Sequence, residues 1–300
     1  MKRAISNEFM DSLLNGELSP VLNIVKNDPT LDLEMRGDEV TIYYQALKLL
    51  SIKEKGGGVY EYEEINKEYR LRKNGKEVSL PVLSLDNIED YIIKGKNVID
   101  TYDKKEHFEY EVKQMIVREN NTAPTAERTD FFVIDTEYQN EEGDQFDIVA
   151  LHINSDANAR KKGEASIAII EIKQDIATLK TTQRNPGIRQ HLEDYKKHIA
   201  DENRKKEFIA DMNNIVLQKF ELGLFNGLQS NTIQRLQIND EIEFYIVLAD
   251  YKIKSTNLQV ELNSFSGGCK FFTSSFMGYG LYNWAIKSKE EILNMLANEY

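Results

Sequence analysis

Four runs rich in apolar and β-branched residues constrain the fold of this chain more than any other feature of its sequence. Three of them follow one another closely, and the fourth is a near-continuous apolar stretch, typical of a strand buried on both faces. Segments with apolar residues at helical spacing precede the first run and separate the third from the fourth. The order helix, three strands, helices, strand predicts an α/β core with helices packed against a mixed sheet. The predicted strands are 130–138, 146–153, 166–173 and 242–248, and the predicted helices are 104–120, 188–200 and 205–220.

The first hundred residues form a different pattern. Three short runs of alternating apolar and polar residues, 31–36, 39–44 and 49–52, are separated by turn residues and predict a β-meander. Pro81 and the polar residues that follow it indicate a boundary between 80 and 103. We therefore expect two units, namely a mixed, β-meander-containing unit over 1–100 and a larger α/β unit with C-terminal additions over 101–300.

Composition excludes several classes of protein. With 41% hydrophobic residues the chain can bury a substantial core, and no apolar run reaches the roughly 18–20 residues of a membrane span. The lone cysteine, Cys269, has no intramolecular partner for a disulfide, and the four histidines form no HExxH motif, which argues against zinc hydrolases. The N-terminus has no secretory signal pattern, so we expect a cytoplasmic protein.

Three charged residues stand out because they interrupt or end apolar strands. Asp147 lies at the start of the second predicted strand, and Glu171 and Lys173 end the third. Since side chains alternate along a strand, Glu171 and Lys173 point to the same face. A carboxylate in such an apolar strand should be paired, exposed at the sheet edge or bound to a cation. Two carboxylates and a main-chain carbonyl such as that of Ile172 would suit Mg²⁺, with Mn²⁺ as a substitute.

An aspartate followed by Glu-x-Lys on the second and third strands of such a core resembles the PD-(D/E)XK nuclease superfamily. The resemblance covers about 105–250 and implies a restriction-endonuclease-like core. It also implies that Asp147 and Glu171 bind the catalytic metal and that Lys173 positions or helps to deprotonate the attacking water. A further upstream acidic residue is usual in this family. Glu137 matches that place best, as a catalytic and metal-binding residue, and Glu111 is the alternative.

The helix that follows the Glu-x-Lys strand often carries polar residues that face the site in this family. Gln190, His191 and Tyr195 are the candidates here, and Arg184 and Arg189 could contact the phosphate backbone. The chain departs from the pattern in two places. Phe146 stands where many members have proline, and four residues separate Gln190 from Tyr195, whereas the recombination-exonuclease subgroup commonly has three.

Charge is distributed unevenly along the chain. The formal net charge is -12, but segment 158–206 contains 12 Lys and Arg against 7 Asp and Glu, a net of +5, which leaves -17 elsewhere. Because phosphate binding needs local positive potential, this segment is a candidate guide for a nucleic-acid backbone. A solvated helix face would produce the same excess of lysine and arginine.

The expected function is metal-dependent hydrolysis of nucleic acid, with DNA favoured over RNA. One alternative is a non-catalytic nuclease-like scaffold or interaction protein, which the acidity of the chain and its aromatic-rich tail would fit. A second is a hydrolase of small phosphorylated substrates. Each residue also has a structural interpretation: Asp147 as a turn residue, Glu171 and Lys173 as a surface ion pair, and the tail aromatics as core. The N-terminal unit is a candidate for contact with a protein partner.

Overall fold

The computed structural model of the chain describes two units of mixed secondary structure. Unit 1 runs to Arg118 and also contains Asn214–Leu224, and unit 2 contains Glu119–Asn213 and Phe225–Tyr300. The division predicted from the sequence lies at residue 100. The described residues are 3–71, 77–102, 108–140, 143, 145–173, 179, 187–250, 252, 255–274 and 278–297.

Unit 1 contains the predicted β-meander, enlarged by a fourth strand. Its strands pair in the order β1-β2-β3-β4, all antiparallel. Most side chains of β1 and β3 are buried, so burial in these strands does not follow the simple alternation of their sequences. The polar stretch that predicted a boundary leads into a helix with Ile88, Tyr91 and Ile92 buried. The elements are α1 (Asn7–Leu14), α2 (Ser19–Asn27), β1 (Leu31–Met35), β2 (Glu39–Tyr44), β3 (Leu47–Glu54), β4 (Tyr60–Glu64), α3 (Lys67–Arg70), α4 (Ile88–Asp100) and α5 (Phe108–Val117).

Unit 2 is built on a five-stranded mixed sheet with strand order β5-β6-β7-β8-β9. The first two pairings are antiparallel and the last two are parallel, so the four predicted strands and their mixed pairing are confirmed. The elements are β5 (Phe131–Gln139), β6 (Gln145–His152), α6 (Ala157–Lys162), β7 (Glu164–Lys173), α7 (Ile188–Ala200), α8 (Glu202–Glu221), α9 (Ser230–Ile233), β8 (Gln237–Ala249), α10 (Thr256–Asn263), β9 (Lys270–Ser274) and α11 (Lys289–Ala297). The residues of α8 from Asn214 onward belong to unit 1.

The centre of this sheet explains why its strands are so apolar. Every residue of β7 after Glu164 is buried, because β6 and β8 flank it and helices cover the sheet. Helix α7 packs a stripe of Ile188, Leu192 and Tyr195 in the interior. The two predicted helices on either side of residue 201 are confirmed. The predicted helix 104–120 ends earlier: α5 stops at Val117, a π-helical turn covers Arg118–Thr122, and 104–107 lie outside the described residues.

Candidate active site

The structure brings Asp147 and Glu171 to the same end of two neighbouring strands. The ladder between β6 and β7 ends with the pair Ile148–Ile170, and the two acids come next on their strands. Since side chains alternate, both acids lie on the face that Val149 shares with its partner on β7. The Oδ2 atom of Asp147 accepts a hydrogen bond of 2.8 Å from the main-chain N–H of Ile172. The two carboxylates are therefore held by adjacent backbone segments.

Glu171, Lys173 and the partly exposed His191 form a cluster at this place, which we call the Glu171 cluster. The side chains of Glu171 and Lys173 are only 2% and 7% exposed. Oε2 of Glu171 lies 3.0 Å from Nδ1 of His191 and 3.7 Å from Nζ of Lys173. Nε2 of His191 lies 3.0 Å from the same lysine nitrogen. Burial removes most of the water that would screen these charges, so each depends on its neighbours in the protein.

The upstream acidic position differs from the prediction in one respect. Glu137 lies on β5 between the pairs Thr136–Ile148 and Tyr138–Phe146, level with Asp147, but it is exposed and has a positive φ of 54°. Asp135, two residues earlier, is fully buried. The alternative, Glu111, lies on α5 of unit 1.

A β-bulge gives Asp135 its orientation. The register of β5 against β6 shifts between Val133 and Asp135, so that Asp135 pairs with Val149 and lies on the face of Asp147. The side chain of Asn121, in the π-helical turn, bonds both the N–H and the C=O of Val133, at 2.8 and 2.9 Å. Asp135 is not among the site residues predicted from the sequence, although simple alternation along β5 gives it the same face as Glu137.

The residues proposed to contact nucleic acid have different environments. Arg189 is exposed on α7, and the amide of Gln190 donates to Asp194 at 3.0 Å. Tyr195 is buried, and its hydroxyl donates to the carbonyl of Ile242 at 2.6 Å, while burial raises its pKa to about 12. Tyr195 therefore packs α7 on the sheet, and its role in nucleic-acid binding stays a prediction. Arg184 lies outside the described residues.

Part of the basic segment also has a structural role. Arg160 is buried and donates to the main-chain carbonyls of Gly227 and Thr129, both at 2.6 Å. Burial lowers the pKa of its guanidinium, and the ring of Phe132 lies 5.0 Å away. Arg160 therefore ties loops of unit 2 together, and its charge is not available to a phosphate. Lys161 and Lys162, which follow it, are exposed.

The donor chemistry at the Glu171 cluster fits a hard divalent cation. Asp147 and Glu171 offer carboxylate oxygens on one face, and Mg²⁺ characteristically uses one or two carboxylates together with water and substrate phosphate. The described residues contain no group of three or more His, Cys, Asp or Glu side chains arranged to hold a metal ion. A metal at this place would therefore complete its shell with a carbonyl such as that of Ile172, with water and with substrate oxygens.

A cavity of about 510 Å³ lies in unit 1, between α2 and α4, and none of the candidate site residues lines it. Within the described parts of the chain, no helix combines the length and apolarity needed to cross a membrane.

Comparison of the chain with protein-family models, with curated proteins and with solved structures gives no match. The geometry of the described residues is therefore the basis for a function of this chain.

Proposed function

We propose that this chain is a metal-dependent nuclease of the PD-(D/E)XK type that hydrolyses phosphodiester bonds, with DNA preferred to RNA, in the cytoplasm. The observation that carries the proposal is the meeting of Asp147, Glu171 and Lys173 at one end of two neighbouring strands. Burial of a carboxylate and an ammonium in the middle of a sheet is costly, and functional sites are where such groups concentrate. The order of three strands, helices and a fourth strand in unit 2, which α5 of unit 1 precedes in the chain, also supports a restriction-endonuclease-like core.

In this proposal Asp147 and Glu171 would hold Mg²⁺, with Mn²⁺ as a substitute, and the carbonyl of Ile172 would add a ligand. A bound Mg²⁺ would supply a Lewis acid for the phosphoryl oxygen and lower the pKa of a coordinated water. Lys173 orients the attacking water through a hydrogen bond from Nζ and stabilises negative charge as it develops on the phosphate. Asp135 and Glu137, both on β5, are the candidates for the additional acidic role.

The test is cleavage of plasmid, linear duplex and single-stranded DNA and of RNA, each with Mg²⁺, with Mn²⁺ and with EDTA. We expect Asp147→Asn, Glu171→Gln and Lys173→Met each to lose at least about 100-fold in rate. Glu164→Gln is the matched control, because Glu164 is an exposed carboxylate at the other end of β7. A wild-type protein that cuts no better than Glu171→Gln would refute the enzymatic proposal.

A non-catalytic interaction protein is the second candidate, and one observation favours it. Trp284 is 81% exposed and its ring stacks on Tyr282, with centroids 5.4 Å apart, although the tail aromatics were expected to be core. Phe271 and Phe272 are buried as expected, and Phe276 lies outside the described residues. Exposed aromatic side chains are enriched at protein interfaces. Absence of heat on titration with Mn²⁺, together with absence of cleavage, would favour this second function.

A further inference from the structure

We propose that His191 is the positioning residue of the Glu171 cluster. As a neutral imidazole with its hydrogen on Nδ1, it donates to the carboxylate of Glu171 and accepts from the ammonium of Lys173. It thereby holds the two groups apart and in fixed orientations. This inference rests on the proposed function, and it gives His191 a role within the site in place of the predicted contact with nucleic acid.

The chemistry of the two neighbours determines which ring nitrogen carries the hydrogen. A carboxylate only accepts hydrogen bonds and an ammonium only donates them. Nδ1 of His191, 3.0 Å from Oε2 of Glu171, must therefore donate, and Nε2, 3.0 Å from Nζ of Lys173, must accept. The opposite tautomer, or a doubly protonated ring, would place an N–H of the imidazole against the N–H groups of the lysine. Only the tautomer with its hydrogen on Nδ1 therefore satisfies both contacts.

The helix that carries His191 holds the ring in a fixed place. Ile188 and Leu192, on either side of it in the sequence, are buried. One turn further on, the hydroxyl of Tyr195 bonds the main-chain carbonyl of Ile242 on β8, and its ring stacks on Phe244 with centroids 4.8 Å apart. Side chains on well-packed helices are positioned more accurately than those on loops. His191 therefore reaches β7 from a rigid support.

Removal of the imidazole should let Glu171 and Lys173 approach each other. Their charged atoms are 3.7 Å apart with the ring in place, and both side chains are almost completely buried. A direct ion pair between them would occupy the carboxylate of Glu171, which the metal needs, and the amine of Lys173, which orients the attacking water. Hydrogen-bond partners of metal ligands typically contribute a factor of about 10 to 100 in metal affinity or activity.

Two substitutions separate positioning from simple space filling. His191→Ala removes both hydrogen bonds, whereas His191→Gln keeps one donor and one acceptor on a flexible side chain. We expect His191→Ala to bind Mn²⁺ about 10- to 100-fold more weakly by calorimetry, and to lose activity by a similar factor, mainly in kcat. His191→Gln should recover part of both losses. Glu193→Gln, an exposed residue of the same helix, is the control and should bind Mn²⁺ as the wild type does.

A measurement on the wild-type protein tests the tautomer without cleavage or metal. Long-range ¹H–¹⁵N NMR of protein labelled in histidine should show His191 protonated at Nδ1 and unprotonated at Nε2 near neutral pH. The signal is assigned by its loss in His191→Gln, so the result does not depend on how well His191→Ala folds. A ring protonated at Nε2 would overturn the inference, as would an unchanged Mn²⁺ affinity in folded His191→Ala. A wild type that neither binds Mn²⁺ nor cuts would instead refute the proposed function, whatever the tautomer.

Discussion

Replacement of Glu243 by alanine should destabilise unit 2 without touching the Glu171 cluster. Oε2 of Glu243 accepts hydrogen bonds from Ser166, at 2.8 Å, and from Nδ1 of His152. Oε1 accepts from Tyr245 at 2.9 Å and from Lys270 at 2.8 Å. His152 and Ser166 pair at the opposite end of the β6–β7 ladder from the pair Ile148–Ile170. The change is therefore distant from the proposed catalytic residues.

The size of the effect follows from which of these partners are buried. Glu243 is 11% exposed and His152 is 18% exposed, so that their hydrogen bond is poorly screened by water. Lys270 is 51% exposed, and an exposed ion pair contributes at most about 1 kcal/mol. Loss of the His152 bond together with the two hydroxyl donors should reduce the free energy of unfolding of unit 2 by about 3–5 kcal/mol near neutral pH.

The carboxylate of Glu243 should also make the free energy of unfolding of unit 2 depend on pH. Burial alone would raise the pKa of Glu243, but hydrogen bonds from His152, Lys270 and Ser166 outweigh burial and hold the pKa well below its ordinary value of 4.5. Because the unfolded chain takes up the proton first as the pH falls, the stabilisation is complete above about pH 5 and is lost progressively below it. Glu243→Ala should therefore show a smaller loss of stability between pH 6 and pH 3 than the wild type.

Urea unfolding at both ends of this pH range, with hydrogen exchange of peptides from β6 to β8, measures both effects in the unit concerned. Glu241→Ala is the control, because Glu241 is an exposed carboxylate two residues earlier on β8. If Glu243→Ala unfolds at the wild-type urea concentration, or if its difference from the wild type does not shrink in acid, the assigned hydrogen bonds do not stabilise the sheet as described.

Three further predictions concern other parts of the chain. Lys219→Met should reduce the free energy of unfolding of unit 1 by about 3–5 kcal/mol, measured in urea, because it breaks the buried 2.9 Å pair with Glu34. Gly163→Ala should reduce the melting temperature of unit 2, since φ is +75° there and the added Cβ would lie 2.4 Å from the carbonyl oxygen of Arg235. Cys269, whose pKa burial raises to about 12, should react slowly with iodoacetamide at pH 8 in the folded protein and rapidly in urea, as followed by mass spectrometry.

The strands were predictable because their patterns are strong and local. The first strand of the meander, LDLEM, alternates at period two in its sequence, and the buried strands of unit 2 are continuous apolar runs, so both patterns predict strands. Strand β8 begins at Gln237, five residues before the predicted 242. Its first residues are polar and pair with the start of β7, which is a contact that no local pattern reveals.

The helices of unit 1 were less predictable for physical reasons. Helix α1 has eight residues and depends on its cap, in which Ser6 accepts from the N–H of Phe9. Helix α4 follows a polar stretch and is recognised by its packing, with Tyr91 bonded to the N–H of Ile65 at 2.8 Å. Short helices gain most of their stability from tertiary packing rather than from intrinsic propensity. Sequence pattern alone therefore underestimates them.

The candidate site shows the same division between local and tertiary information. Alternation along one strand is sufficient to place Glu171 beside Lys173, but three further features require the folded chain: the register of β6 on β7, the bulge before Asp135, and the docking of α7. A shift of one residue in the register of β6 on β7 would turn Asp147 to the other face of the sheet. Loss of the bulge would do the same to Asp135. Since Glu-x-Lys is common in chains this rich in charge, the meeting of acids from neighbouring strands is the discriminating feature. The pairing of strands, which is visible only in the folded chain, therefore gives the proposed function most of its support.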